Sequence, residues 1–147
     1  TFEIAGMLLE TGIDIDKIYK ILFDETTEAR TRLLGRALNT LELFENGQIA
    51  FCYITGKDFQ ELGCQDGDQE NIVNYGRNIK GVEVSIFVRE KDGGYKVSLR
   101  ANEYIDVSRI ATKYGGGGHI RAAGFNTEMS FEQLKEKIIE DVKEQLK

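Results

Sequence analysis

The feature that most constrains the fold is a pair of segments, residues 82–90 and 95–101, joined by a short turn. Apolar side chains occupy every second position of residues 82–88, which is the pattern of a strand in a sheet. The connecting residues 91–94 read Lys-Asp-Gly-Gly, and both Asp-Gly and Gly-Gly tolerate the positive φ angles of a tight hairpin. The sequence therefore predicts an antiparallel pair of strands at the centre of the chain.

The first third of the chain is predicted to be helical. Apolar residues recur at spacings of three and four in residues 2–9, in residues 15–23 and again in residues 27–44. We expect the Asn46-Gly47 pair to end the last of these helices, because glycine suits the left-handed position that follows a helix. Together these helices predict a helical linker arm over residues 1–46, continuing from a domain upstream.

The remainder, residues 47–147, is predicted to be a small mixed β-sheet with flanking helices, which makes the fold class α/β. A strand over residues 49–55 and a short strand or extended link over residues 125–129 are expected to accompany the hairpin. Asp106 is a candidate cap for a helix that reaches Tyr114. Further helices are predicted over residues 57–63, over residues 70–79 and from a Ser130–Gln133 capping box to the C-terminus.

Composition excludes several classes of site. The only cysteines, Cys52 and Cys64, lack Cys-x-x-Cys spacing, and we favour free thiols in a cytoplasmic protein over a disulfide. A single histidine argues against a zinc site. The 25 acidic residues leave an all-carboxylate Mg²⁺ or Mn²⁺ site open, although we favour a metal-free chain. No apolar run approaches the roughly 20 residues of a membrane-spanning helix, and no membrane partner is expected.

Basic residues are concentrated in one part of the chain. Residues 77–121 contain nine lysines and arginines against five acids, a net charge of +4, whereas the rest carries −10. A chain of net charge −6 is a poor general binder of nucleic acid, but a local basic surface can capture a short ligand that carries phosphate. Charges scattered over several faces would give the same count, so both interpretations stay open.

The most specific motif is a run of four glycines followed by the only histidine: Gly115, Gly116, Gly117, Gly118 and His119. A flexible linker is usually longer and contains serine, and the spacing fits neither a P-loop nor a dinucleotide fingerprint. Glycines allow backbone N–H groups to approach an anion closely. If residues 119–123 begin a helix, its N-terminus adds positive charge at the same place. The histidine ring can then contact a phosphate or stack on a base.

Arg100 is a second candidate, near the end of the strand predicted over residues 95–101. Its planar guanidinium fits a phosphate through two parallel hydrogen bonds. An exposed strand arginine with no ligand explains this residue about equally well when it is considered alone. Ser98, two positions before it, and Arg121, two positions after His119, are weaker candidates for substrate binding.

These segments resemble the first-type DHH-associated domain, the C-terminal module of DHH-family phosphoesterases. The resemblance rests on residues 97–107, which contain Val-Ser-Leu-Arg and Ile-Asp-Val, and on residues 115–124, which read Gly-Gly-Gly-Gly-His-Ile-Arg-Ala-Ala-Gly. Residues 72–77, 81–84 and 32–38 fit the same pattern. It looks closest to the bacterial oligoribonuclease type that also hydrolyses 3′-phosphoadenosine 5′-phosphate.

The resemblance implies a division of labour between two domains. An upstream domain would hold two Mn²⁺ or Mg²⁺ ions through Asp and His residues, so the present chain has no catalytic residues, binds no cofactor and should be inactive alone. Substrate binding would fall to Arg100 and to the run that ends in His119, with Asn74 and Arg77 as weaker contributors. Ala101 stands where a small hydroxyl residue is expected after the arginine, which removes one hydrogen bond to phosphate.

Partners follow from the same resemblance: short single-stranded RNA or phosphorylated mono- and dinucleotides, and the upstream DHH domain in the same polypeptide. Alternatives of other classes stay open. The chain could serve a phosphodiesterase of cyclic or linear dinucleotides, or bind single strands without chemistry as in RecJ-like exonucleases. A structural or dimerisation module, in which residues 14–23 and 27–44 form a partner surface, is the third, and a homodimer is compatible with all of them.

Overall fold

The computed structural model describes residues 2–146 and contains one six-stranded mixed sheet. Its order is β1-β2-β3-β4-β6-β5, with β2 and β3 parallel and every other neighbouring pair antiparallel. The strands are β1 (Glu42–Phe44), β2 (Ile49–Ile54), β3 (Val84–Lys91), β4 (Gly94–Ala101), β5 (Gly117–His119) and β6 (Ala122–Thr127). This confirms the predicted α/β class, a small mixed sheet with flanking helices.

In the described range 2–146, seven α-helices surround or precede the sheet. They are α1 (Phe2–Glu10), α2 (Ile15–Tyr19), α3 (Glu28–Asn39), α4 (Gly56–Glu61), α5 (Ile72–Arg77), α6 (Val107–Lys113) and α7 (Phe131–Lys143), with a π-helical turn (Lys20–Asp24) extending α2. Within residues 2–146, five of the helices start at a side chain that accepts a hydrogen bond from a backbone N–H of the first turn. These caps are Asp14, Thr27, Thr55, Asp106 and Ser130, and Asp106 and Ser130 are the two that the sequence predicted.

The helix predicted over residues 27–44 is too long, because α3 ends at Asn39 and the chain turns into strand β1. Thr40 explains the turn. Its hydroxyl donates to the carbonyl of Tyr53 (3.0 Å) and accepts from the backbone N–H of the same residue (2.8 Å), which ties the helix end to β2. The chain then crosses the sheet, so that Leu41 packs on one face and Phe44 on the other.

The two faces of the sheet are covered unequally. Helices α6 and α7 cover one face and enclose the main core, which includes Val84, Ile86, Val97 and Leu99. On the other face, α3 and α5 pack mainly over β2 and β3. Within residues 2–146, α3 and α5 do not pack extensively on β5 or β6, so part of the sheet is open on this second face.

The arm predicted over residues 1–46 has two different parts. In α3, Leu33 and Ala37 are fully buried against the sheet, and β1 belongs to the sheet itself. Residues 2–24 instead expose most of their apolar side chains, and Phe2 is 95% and Phe23 71% accessible. Within residues 2–146, no helix is both long enough and apolar enough to cross a membrane.

Candidate functional site

The uncovered part of the sheet presents three rows of small or polar residues. Residues paired directly across antiparallel strands point to the same face, and the register of β4, β6 and β5 defines the rows. They are Arg100–Ala122–His119, Ser98–Gly124–Gly117 and Lys96–Asn126. None of these eight residues is buried. We call this surface the open face.

Helix α5 forms one wall of the open face. Between α5 and β4 lies a groove of about 340 Å³, whose floor is Lys96, Ser98 and Arg100. Its wall includes Val73 of α5 and Phe87 of β3, and residues 69–71 form its rim. The alternation of strand side chains therefore places the polar residues of β4 in a groove, while their apolar neighbours fill the core.

Arg100 is half-buried in this groove and has no carboxylate partner. Its Nη1 donates to the carbonyl of Leu99 (2.9 Å), and none of the ion pairs within the described residues involves it. Burial lowers the pKa of Arg100, and the nearby positive charge of Arg77 lowers it further. Arg100 therefore feels a second positive charge while no described carboxylate forms an ion pair with it, and a phosphate is an anion that its guanidinium can bind.

Arg77 is held beside Arg100 by the backbone of α5. The side chain of Asn102, just after β4, donates to the carbonyls of Arg77 (2.9 Å) and Val82 (2.7 Å). These hydrogen bonds fix the C-terminal end of α5 to the end of the strand that carries Arg100. Asn74, one turn earlier in α5, donates to the Asn71 side chain (3.2 Å), while its own Oδ1 is buried and accepts no hydrogen bond from residues 2–146.

The glycine run begins as a helix terminus. The N–H of Gly115 donates to the carbonyl of Thr112 (3.0 Å) and that of Gly116 to the carbonyl of Ala111 (2.9 Å). This is the Schellman arrangement, in which a glycine with positive φ, here Gly115 at +75°, closes a helix. Two of the four glycine N–H groups are thus already used by α6, and residues 117–119 pair with β6, so the run does not present four free N–H groups to an anion.

A helix does not start after the run, contrary to the sequence-based expectation for residues 119–123. Residues 117–119 instead form edge strand β5, which pairs with β6 through a hairpin. Strand β6 also begins earlier than the predicted extended link over residues 125–129. The earlier start of β6 depends on a glycine. Strands β6 and β4 lie so close together at Gly124 that a Cβ there would be 2.6 Å from the Val97 carbonyl oxygen.

The glycines of the run differ in what the fold requires of them. A methyl group at Gly116 would overlap the Gly124 carbonyl oxygen and the Phe125 side chain. Gly118 has a φ of +146°, and a methyl group there would overlap the backbone of β6. At Gly117 the backbone is ordinary and the space above it is empty. The packing of the described residues therefore does not require a glycine at position 117.

The hairpin tip that carries His119 is fastened to the loop that follows Arg100. Backbone hydrogen bonds join Ala101 to Arg121 (3.1 Å) and Val107 to Ile120 (3.0 Å). The Arg121 guanidinium donates to the carbonyls of Glu103 and Ile105. Arg121, a weaker candidate in the sequence, thus has its donors directed at the backbone, where they hold His119 in place relative to Arg100.

Glu83 secures the same loop from the other side, and sequence reasoning did not identify it. The carboxylate is buried at the start of β3 and accepts hydrogen bonds from the backbone N–H groups of Glu103, Tyr104 and Ile105 at 2.8–3.1 Å. A glutamate directly before an apolar strand was the available signal. Tyr114 anchors the other end of the site, because its ring stacks on Phe125 at 4.5 Å between centroids.

Comparison with known proteins identifies the family. Residues 46–147 match the DHHA1 domain. The chain belongs to the DHHA1 domain family. It is 32% identical, over 78% of its length, to a bifunctional oligoribonuclease and PAP phosphatase NrnA of Thermus thermophilus, and spans 34% of that protein. It is 30% identical, over 100% of its length, to a probable NrnA of Streptococcus mutans, and spans 46% of it.

A solved structure supports the assignment. An exopolyphosphatase-related protein from Bacteroides fragilis superposes on 96% of this DHHA1 chain with a TM-score of 0.87 and 31% identity, and the match covers 42% of that protein. The present chain thus spans less than half the length of the relatives described here. The resemblance inferred from the glycine motif is confirmed at the level of the family.

Two further observations bear on what this DHHA1 chain can do. Across the described ranges, no three His, Cys, Asp or Glu side chains are grouped so that they could hold a metal ion. Ala101 lies in the main core on the side of the sheet away from the open face. A hydroxyl at that position would therefore point away from a ligand bound beside Arg100.

Proposed function

We propose that this DHHA1 chain is the substrate-binding part of a larger metal-dependent phosphodiesterase that degrades short oligoribonucleotides and dephosphorylates nucleoside 3′,5′-bisphosphates. The observation that carries the proposal is the half-buried Arg100 guanidinium, which lies in the groove of the open face without an ion pair and close enough to Arg77 to feel its positive charge. Two like charges that are partly withdrawn from water are unfavourable unless an anion joins them. A terminal phosphate supplies the missing charge and accepts hydrogen bonds from both groups.

The rest of the open face supports a nucleotide rather than a free phosphate. Gly117 and Gly124 form a floor without side chains, on which a sugar or base can lie in van der Waals contact. His119 stands exposed at the edge of this floor and can stack on a base or donate a hydrogen bond. The Ser98 hydroxyl, in the middle row, forms no hydrogen bond with any described residue and is available to a ligand.

Hydrolysis itself is assigned to a preceding DHH domain of the same polypeptide, where Mn²⁺ or Mg²⁺ would supply the hydroxide that attacks phosphorus. Residues 2–146 contain no group of His, Cys, Asp and Glu side chains that could hold that metal pair, and in this proposal the present chain binds and orients the substrate. In this proposal residues 1–46 link the two domains and residues 47–147 bind the substrate. The names of the NrnA relatives support this substrate class.

A binding titration of the 147-residue chain tests the proposal. Adenosine 3′,5′-bisphosphate and 5′-phosphorylated diadenylate are added to labelled protein, and backbone amide shifts are followed by NMR, with unphosphorylated adenosine as the control ligand. We expect the phosphorylated ligands to shift the amides of residues 98–101 and 117–119, and adenosine to shift them far less.

Two outcomes contradict the proposal. If the phosphorylated ligands shift no amide of the open face, or shift it equally in the Arg100→Gln variant, the assigned site is wrong. If the chain alone, supplied with Mn²⁺, hydrolyses diadenylate well above a protein-free blank, the division of labour between two domains is wrong. Arg109→Gln is the matched control, since Arg109 is exposed on α6 on the opposite side of the sheet.

A further inference from the structure

We propose that Lys96 forms a second phosphate position, so that the open face holds a linear oligonucleotide along β4, from Arg100 at one end to Lys96 at the other. This inference rests on the proposed function and specifies the ligand: a chain of several nucleotides binds better than a nucleoside bisphosphate because only the chain reaches Lys96.

The position of Lys96 follows from the alternation of strand side chains. Lys96, Ser98 and Arg100 occupy successive even positions of β4 and point to the open face, while Val97 and Leu99 are fully buried on the other side. Lys96 and Arg100 are four residue steps apart along the strand, which is about 13 Å. At roughly 3.4 Å of rise for a stacked nucleotide, and more for a splayed strand, this span covers about two to four nucleotides.

The chemistry around Lys96 fits a phosphate oxygen. Lys96 is exposed and, among residues 2–146, its ammonium group forms neither an ion pair nor a hydrogen bond. Asn126 of β6 is the cross-strand partner of Lys96 and is also exposed. Its side-chain amide forms no hydrogen bond with a described residue. A cation and an amide donor therefore stand side by side at the far end of the open face.

The neighbouring charges leave Lys96 available. Arg89, opposite it on β3, is buried and donates to Asp66 (2.9 Å), and Lys91 also pairs with Asp66 (3.1 Å). The acids that line the two adjoining grooves are Glu70 on one side and Asp92 and Glu128 on the other. None of these three acids forms an ion pair with Lys96. Asp66 therefore neutralises Arg89 and Lys91, whereas Lys96 has no acidic partner among the described residues.

The path between the two ends is clear. The middle row consists of Ser98, Gly124 and Gly117, which together present one hydroxyl and no larger side chain. A strand anchored by its terminal phosphate at Arg100 can thus follow β4 without displacing protein atoms. Its next phosphates come within reach of the flexible Lys96 side chain, whose four-carbon stem adapts to several positions.

The test compares two ligands with three variants of the 147-residue chain. The ligands are adenosine 3′,5′-bisphosphate and 5′-phosphorylated triadenylate, and the variants are Lys96→Gln, Arg100→Gln and the control Lys137→Gln, an exposed α7 lysine without an ion pair. We expect Lys96→Gln to weaken triadenylate binding about 5- to 10-fold and to leave the bisphosphate unchanged. Arg100→Gln should weaken both ligands, and Lys137→Gln neither.

Salt dependence gives a second readout. Each phosphate contact on a single strand contributes about −0.7 to the slope of log K against log salt concentration, so Lys96→Gln should make that slope shallower by about this amount for triadenylate alone. If Lys96→Gln binds triadenylate with the wild-type affinity and slope while Arg100→Gln loses both ligands, the inference is wrong and the proposed function stands. If the wild-type chain binds neither ligand, both fall.

Discussion

Arg77 at the end of α5 lies close enough to Arg100 on β4 for its charge to lower the pKa of Arg100, and neither arginine forms an ion pair with a described residue. Within the described chain, the half-buried Arg36 and the buried Arg89 each form an ion pair with an aspartate. Arg77 and Arg100 lack such a partner, and the proposed function assigns a ligand phosphate to that place.

Replacing Arg100 should therefore separate binding from folding. Arg100→Gln removes one of two like charges, so we expect the free energy of unfolding to change by less than about 0.5 kcal/mol. Affinity for adenosine 3′,5′-bisphosphate should fall about 10- to 100-fold, because a hydrogen bond to a charged group contributes about 1.5–3 kcal/mol. Isothermal titration and denaturant unfolding measure the two quantities. Unchanged affinity would show that the phosphate binds elsewhere.

Two neighbouring glycines offer a matched pair of variants. Gly116→Ala places a methyl group on the backbone of β6, and overpacking of this kind costs about 1–3 kcal/mol of stability. Gly117→Ala meets nothing and needs no unusual backbone, so its stability should match wild type within about 0.5 kcal/mol. If the floor of the open face receives a nucleotide, Gly117→Ala should nevertheless weaken binding.

Thermal unfolding and a titration with 5′-phosphorylated diadenylate are the measurements for this pair. We expect a lowered melting temperature for Gly116→Ala, and for Gly117→Ala an unchanged melting temperature with affinity reduced several-fold. Wild-type affinity in a stable Gly117→Ala protein would remove Gly117 from the site. A large loss of stability in that variant would instead show that position 117 packs against other atoms.

Local sequence was sufficient for the central hairpin. Asp92 and Gly93 adopt φ angles of 53° and 79°, and Lys91 pairs with Gly94, so the turn contains the two residues that the Asp-Gly pattern indicates. The helix caps were equally local, since each depends on one side chain and the N–H groups of the next turn.

Elements that depend on distant partners were not predictable from local patterns. Leu41 and Phe44 satisfy a helical spacing, yet they pack on opposite sides of the sheet because β1 pairs with β2. Glycine-rich β5 has no strand pattern of its own and exists only because β6 lies beside it. In both cases the strand is three residues long, and tertiary pairing outweighs sequence preference.

The candidate site was predictable as a set of residues but not as a surface. Arg100 and His119 were identified from the sequence, whereas their common row depends on the register of β4, β6 and β5. Lys96 could have been found by extending the alternation of Ser98 and Arg100 two residues back along the strand. Glu83 acts through the loop after β4, and its role could not be seen without the hydrogen bonds.

The buried thiol of Cys52 should make stability fall at high pH. Burial raises its pKa to about 12, whereas an unfolded cysteine titrates near 8.5. A pKa raised in the folded state means that the stabilisation is complete below the unfolded pKa and declines as the pH rises toward 12. We expect stability to fall between pH 8.5 and 10.5 by up to about 1.4 kcal/mol per pH unit from this group.

Cys52→Ala provides the comparison for this pH dependence. Denaturant unfolding of wild type and variant at pH 8 and 10.5 should show a smaller fall in the variant, since the titrating thiol is absent. Cys64, which is only half-buried, stays in both proteins and contributes equally. Parallel pH profiles for the two proteins would mean that the Cys52 thiolate is not disfavoured by the fold.

The final prediction concerns Glu83 as a positioning residue. Glu83→Gln keeps the shape of the side chain but removes its charge and one acceptor oxygen, while three backbone N–H groups still point at it. Leaving such buried donors poorly satisfied should cost about 1–3 kcal/mol of folding stability. Because the loop of residues 102–106 connects Arg100 to the His119 hairpin through Arg121, the relative position of the two site residues should loosen as well.

Amide chemical shifts and ligand affinity together test whether Glu83 positions the His119 hairpin. The control variant is Glu136→Gln, on the exposed side of α7. We expect Glu83→Gln to shift the amides of residues 103–105 and 119–121 without ligand, and to weaken adenosine 3′,5′-bisphosphate binding several-fold at a temperature where the variant is fully folded. Lower stability with wild-type shifts at residues 119–121 and wild-type affinity would limit Glu83 to a structural role, because the His119 hairpin would then keep its place without the carboxylate.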